Sequence, residues 1–247
     1  MSKALIFKLF LVGLVILVST WLYLSFPLLP KANEGQVGSF SSNTPSVIDQ
    51  KTELPAAGTY KLHKIFSTPE KQILDSNGEA KYLHEFTYGK YTLLTFFYQH
   101  CSDAGGCPYA MSVFNSVKST LEKDAALAQS VRMVSISFDP YRDTPMMMAG
   151  LEKQMNKNDK KDSVKWSFLT TANTDALLPL VDGFGQNVDI VIDPATGSQT
   201  MTYQHVLKVF LIDRVGFVRE IYSTAYLSPE MLLNDIKTLA MEDSHSF

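Results

Sequence analysis

The chain contains two cysteines, Cys101 and Cys107, which follow the apolar run Tyr91 to His100, with Pro108 directly after the second. A pair of thiols at a strand-to-helix turn supports thiol-disulfide exchange, soft-metal binding or a structural disulfide. Pro108 can take the first helical position. Cys107 would then sit at the positive end of a helix dipole and gain thiolate character, which nucleophilic attack and metal binding both need. Asp103, within the intervening Ser-Asp-Ala-Gly-Gly, works against that. The two glycines relax the backbone so that the loop can fold back and join the sulfurs, although spacing alone does not establish it. A loop this short gains little from a cross-link by chain entropy, which favours chemistry over a purely structural bridge.

Two thiolates select Cu(I) or Zn over hard cations, and an imidazole is the natural third ligand. Five histidines compete: His63, His84, His100, His205 and His245. If the strand continues to its end, His100 and Cys101 point to opposite faces. His205 differs in preceding the apolar run Val206 to Ile212, a strand entrance from which a loop can lean over the thiol turn. Spacing does not choose it. Asp139, Arg142 and Asp143 follow another apolar run; they either orient a ligand or meet a partner, or form a local salt bridge and helix cap. Met146, Met147 and Met148 carry soft sulfur, but consecutive helical residues point in different directions, so packing is their expected role. Tyr98 and Tyr203 are expected to flank the site.

The elements that must position these groups read as strands alternating with helices. Tyr60 to Phe66 and Ile73 to Phe86, with the turn signal Asp75-Ser-Asn-Gly78, predict short opening strands and a hairpin. Tyr91 to Tyr98 is uniformly apolar and β-prone, the pattern of a central strand buried on both faces. A helix should run from Pro108 to near Ala128, followed by a second buried strand, Val131 to Phe138. Asp143-Thr-Pro145 offers a cap and a first-turn proline for a helix reaching about Asn158. Trp166 to Thr170 predicts a strand and Thr174 to Phe184 a helix. Hairpins follow around Asp193 to Gly197 and Arg214 to Gly216, and Ser228-Pro229 starts a last helix to about Met241. This order predicts an α/β domain with a mixed sheet flanked by helices, as in a thioredoxin-like fold.

At 247 residues, 45% hydrophobic and 19% charged, the chain can bury one ordinary core with apolar residues to spare. Its net charge of −3 leaves no basic field for phosphate backbones and argues against nucleic acid as a partner. The spare apolar residues lie at the N-terminus. Leu9 to Leu29 contains no charged residue, and its 21 residues would span roughly 30 Å as a helix, the thickness of a bilayer core. Lys3 and Lys8 precede it and Lys31 follows, so the positive-inside bias puts the N-terminus in the cytoplasm. A cleavable signal peptide is the alternative, but the stretch exceeds a typical h-region and lacks an obvious small-x-small exit. The expected organisation is a cytoplasmic tail (1–8), a transmembrane anchor (9–29), a flexible linker (30–58), a thioredoxin-like domain (59–243) and a tail (244–247). The domain would lie on the periplasmic or intermembrane-space side, where disulfides persist.

Several segments together carry a family resemblance: Thr95 to Tyr98 leading into Cys101 and Cys107-Pro108, Ser137-Phe-Asp-Pro-Tyr-Arg-Asp-Thr-Pro145, Trp166 to Thr170, and His205 to Asp213. In this order they resemble the SCO/SenC family, and the likeness covers most of Tyr60 to Met241. It implies a thioredoxin fold that binds one copper ion per chain through two cysteines and a distant histidine. It also implies a part in building the dinuclear copper centre of cytochrome oxidase, so that an apo copper enzyme, the oxidase copper subunit, would be the partner. Carried over residue by residue, the ligands fall on Cys101, Cys107 and His205. The family pattern is Cys-x-x-x-Cys-Pro, and this chain is two residues longer, which changes the angle between the sulfurs. Some members are proposed thiol-disulfide reductants. An oxidoreductase that reduces a partner's cysteines through Cys101 and Cys107 is therefore the enzymatic alternative.

Overall fold

The computed structural model describes residues 54–244 apart from Ser102 and residues 193–198. All of these belong to one compact unit, Thr52–Phe247. The stretch 9–29, expected to be an anchor, lies outside the described residues, as do residues 1–8, most of the linker, the turn around Asp193 to Gly197 and His245. Among the described residues no helix is long and apolar enough to cross a membrane.

The opening strands are β1 (Phe66–Ser67), β2 (Gln72–Leu74) and β3 (Ala80–Tyr82). β2 and β3 form the expected hairpin. Its turn closes because Asp75 Oδ1 accepts the amides of Asn77 and Glu79, each at 2.9 Å, while Gly78 takes φ +81°, a conformation that suits glycine. A short helix α1 (His84–Thr87) leads into β4 (Tyr91–Phe97), all seven residues of which are buried.

The helix predicted from Pro108 to near Ala128 is in fact two. α2 (Cys107–Leu121) stops, and α3 (Ala125–Ser130) starts afresh because the Asp124 side chain accepts from the amides of Ala126 and Leu127. A side-chain cap competes with continuation of the first helix. There follow β5 (Val131–Ser137), α4 (Pro145–Met155), β6 (Lys165–Leu169) and α5 (Thr174–Gly183). β7 (Val188–Ile192) and β8 (Gln199–His205) pair with each other as a separate ribbon. β9 (Lys208–Ile212), β10 (Phe217–Ser223) and α6 (Pro229–Ser244) complete the chain.

The main sheet runs β1-β10-β9-β4-β5-β6. β4, β5 and β6 are parallel, and β9 is antiparallel to β4, so the sheet is mixed, as the alternation of elements predicted. Two consequences set the site. The parallel pair β4 and β5 delivers the segments after Phe97 and Ser137 to one edge. The register Thr95↔Val209 makes the residues that precede β9, His205 included, run back along the same edge. The core behind it is aromatic: Trp166 is fully buried, with its Nε1 donating to Ser135 Oγ at 2.9 Å, which satisfies the one polar group the indole carries.

Candidate metal centre

Cys107 is the first residue of α2, with Gly106 as its N-cap and Pro108 in the first turn. The longer cysteine loop is absorbed by Asp103. Its Oδ1 accepts the Gly105 amide at 3.0 Å, and its carbonyl accepts the Gly106 amide at 3.0 Å, folding Asp103 to Gly106 into a tight turn. Tyr109 Oη donates to the Leu227 carbonyl at 2.6 Å, bracing the first turn of α2 against the segment before α6. At the other end of the loop, the Cys101 amide donates to the Tyr98 carbonyl at 3.2 Å. Both cysteines border one recess, and neither is in a disulfide. The two extra residues therefore still leave both cysteines on one recess.

The thiolate character expected of Cys107 is not what this geometry gives. Burial pushes its thiol up to about 12, and the neighbouring Cys101 thiol adds to the rise; hydrogen bonds from the Tyr98 backbone and from its own amide only partly offset it. Desolvation of a thiolate inside the core outweighs the partial charge at the helix N-terminus. Cys107 thus keeps its proton until a strong partner replaces it.

His205 is the last residue of β8, not the residue ahead of the next strand as its sequence position suggested. Its Nε2 lies 3.9 Å from Cys107 Sγ. The ring is held edge-on between Phe138 at 4.7 Å and Tyr98 at 6.1 Å, centroid to centroid. The buried Gln186 supports it from behind: its Nε2 donates to the Val206 carbonyl at 3.0 Å, setting the backbone next to the imidazole. Neither Phe138 nor Gln186 carries a sequence signal for this role, because an aromatic at a strand end and a glutamine in a loop occur in any fold. The Tyr203 side chain is outside the described residues.

For an ion with bonds of about 2.3 Å to sulfur and about 2.0 Å to nitrogen, a trigonal angle puts the two ligand atoms about 3.7 Å apart. The 3.9 Å between Cys107 Sγ and His205 Nε2 differs from that by about 0.2 Å, so this pair fits a shared metal. Cys107 approaches His205 directly and shares a recess with Cys101. Among the described residues no three such side chains are yet closed into a metal cluster. Of the other described histidines, His63 and His100 are exposed, and His84 Nδ1 pairs with Glu70 at 2.6 Å.

The acidic motif after β5 divides in two. Asp139 pairs with Arg142 as a local ion pair. Asp143, expected as a candidate helix cap, is not one: Thr144 is the N-cap of α4, and Asp143 is wholly buried. Its Oδ2 accepts the Gln99 amide at 3.0 Å and the Ser137 hydroxyl at 2.6 Å, which ties the turn carrying Cys101 to the end of β5. Burial raises its pKa, opposed by those two hydrogen bonds. Of the three neighbouring methionines, Met148 is buried while Met146 and Met147 are exposed, as consecutive helical residues should be.

A thioredoxin-like domain with a half-buried and a buried cysteine and an imidazole at one end of its sheet carries the donor types of a soft-metal or dithiol site. The family model SCO1/SenC matches residues 68–241, and the chain belongs to that family. Solved structures agree on the fold. One is Arabidopsis thaliana ScoI with copper bound, at 16% identity and TM-score 0.58, covering 71% of this chain and 98% of that one. Another is apo Sco1 from Thermus thermophilus, at 19% identity and TM-score 0.57, covering 76% and 99%. A third is a SCO1/SenC family lipoprotein from Bacillus anthracis, at 22% identity and TM-score 0.55, covering 71% and 95%. No curated protein matches the chain.

Proposed function

We propose that this protein is a membrane-anchored copper chaperone. It holds one copper ion per chain on Cys101, Cys107 and His205 and passes it by ligand exchange to an apo copper enzyme, the dinuclear copper site of cytochrome c oxidase. The apolar stretch 9–29 serves as the anchor, with residues 1–8 in the cytoplasm, the linker 30–58 as tether and the domain 59–243 on the periplasmic or intermembrane-space side. The observation that carries this reading is the 3.9 Å approach of His205 Nε2 to Cys107 Sγ, with Cys101 bordering the same recess as Cys107. Family membership and the copper-bound relative from Arabidopsis thaliana support it. Two thiolates and an imidazole suit copper, and release of the ion to a partner requires that no closed cage surround it.

The test is anaerobic copper titration of the reduced full chain in detergent. One equivalent should bind; Cys107→Ser should abolish tight binding of either oxidation state, and His205→Ala should weaken Cu(II) most. Full Cu(II) affinity in both variants would sink the reading. A second reading, a thiol-disulfide oxidoreductase, draws on the two free cysteines that border one recess. In that reading the half-buried Cys101 attacks and the buried Cys107 resolves. Catalytic reduction of a model disulfide, with a trapped mixed disulfide in Cys107→Ser, would favour it.

A further inference from the structure

Beside the thiols lies a recess of about 140 Å³ lined by Cys101, Cys107, Met111, Leu151, Met155 and Phe168 among others. His205 does not line it, nor does any charged residue. Cys107 therefore borders two environments, the imidazole and an uncharged recess where two thioethers join Tyr98 and Gln99 around both cysteines. Met111 is placed there by helix geometry. It follows Cys107 by four residues on α2, so the two share a face, and a methionine in a helix leans toward the N-terminus, onto the residue one turn earlier. Met155, the last residue of α4, reaches the same recess from the neighbouring helix. Both are partly buried and packed against the core.

Filling space accounts for a methionine in a core gap. It does not account for two thioethers bordering an open recess that they share with both thiols. An uncharged, largely apolar recess that offers two thiols and two thioethers suits a soft monocation and disfavours a hydrated dication. We propose that Met111 supplies a thioether donor to Cu(I) held by Cys101 and Cys107, on the recess side of the thiol pair, with Met155 as the second sulfur of that recess. The inference rests on the copper reading above. It makes the two faces selective by oxidation state, with His205 holding Cu(II) and the thioether face retaining Cu(I) when the imidazole is withdrawn.

The experiment uses the reduced full chain with Cu(I) or Cu(II) alone as the probe, in competition with chelators of known affinity. Met111→Leu nearly conserves volume. It should weaken Cu(I) by about tenfold and Cu(II) by less than about twofold, the size expected for a ligand-tuning contact, and His205→Ala should do the reverse. Selenomethionine-labelled Met155→Leu protein loaded with Cu(I) should show copper-to-selenium scattering at the selenium edge, and the scattering should vanish when Met111→Leu is added. Absence of that scattering in Met155→Leu overturns the proposal whatever the affinities do. If copper binds through the cysteines and His205 but no selenium is seen, only this inference fails. If the unaltered chain binds no copper, the chaperone reading fails with it.

Discussion

Replacing Asp143 by alanine should loosen the turn that carries Cys101 without touching any proposed ligand. The carboxylate accepts from the Gln99 amide at 3.0 Å and the Ser137 hydroxyl at 2.6 Å. Hydrogen bonds to a charged group are worth about 1.5–3 kcal/mol each. The carboxylate's own burial is unfavourable at neutral pH, so the net loss of stability should be about 2–4 kcal/mol. Copper affinity should fall about 10–100-fold, as for groups that orient a ligand from outside the coordination sphere. Asp143→Asn keeps an acceptor oxygen for both donors and should lose much less of either. The two variants also separate through pH. Burial raises the folded-state pKa of Asp143 above its ordinary 3.8, so the folded protein holds this proton more tightly than the unfolded chain. That contribution is fully present below the unfolded value and is lost as pH rises through the folded one. Wild-type stability should therefore decline across that window by at most about 1.4 kcal/mol per pH unit, and Asp143→Asn should remove that part of the slope. The assays are urea denaturation from acid to neutral pH and anaerobic copper competition. An alanine variant that unfolds and binds copper like the wild type would refute the reasoning.

Gln186→Leu removes the donor to the Val206 carbonyl; Cu(II) affinity should drop about tenfold while denaturation shows a loss near 1 kcal/mol, about that of one hydrogen bond. Lys118→Met should cost about 3 kcal/mol in the same denaturation assay. The buried lysine donates to Asp159 Oδ1 at 2.6 Å and Asn156 Oδ1 at 2.9 Å, and its loss leaves that carboxylate facing the exposed Lys165 at 3.6 Å. Gly216→Ala should destabilise by about 2 kcal/mol or more with copper affinity unchanged, because a Cβ there would lie 2.1 Å from Tyr88 Cε1 at a φ of +85°; a melting temperature equal to wild type would contradict it.

The lines of the domain were legible because they follow from local chemistry. The unbroken apolar run Tyr91 to Phe97 belongs in the middle of a sheet and lies there between β9 and β5. Asp75-Ser-Asn-Gly78 made its turn through one carboxylate and one positive φ, and Pro108 lies in the first turn of its helix, one residue after the start at Cys107. The break between α2 and α3 was missed because Asp124 acts as a cap only where the chain is already leaving the first helix.

The site was legible as an inventory of residues and illegible as an arrangement. Residue types limited the chemistry to soft ligands and thiols, since two cysteines beside a helix start have few other uses, and the quoted motifs pointed to the family. Tertiary structure decided the rest. Register across β4 and β9, a property of pairing between distant segments, put His205 beside Cys107 rather than any other histidine. Packing of the core around Cys107 reversed the expected effect of the helix dipole, because desolvation depends on every neighbour while a dipole depends on one helix. Asp143 changed from a candidate cap to a buried tie for the same reason: its partners, Gln99 just beyond β4 and Ser137 at the end of β5, meet only in the folded sheet.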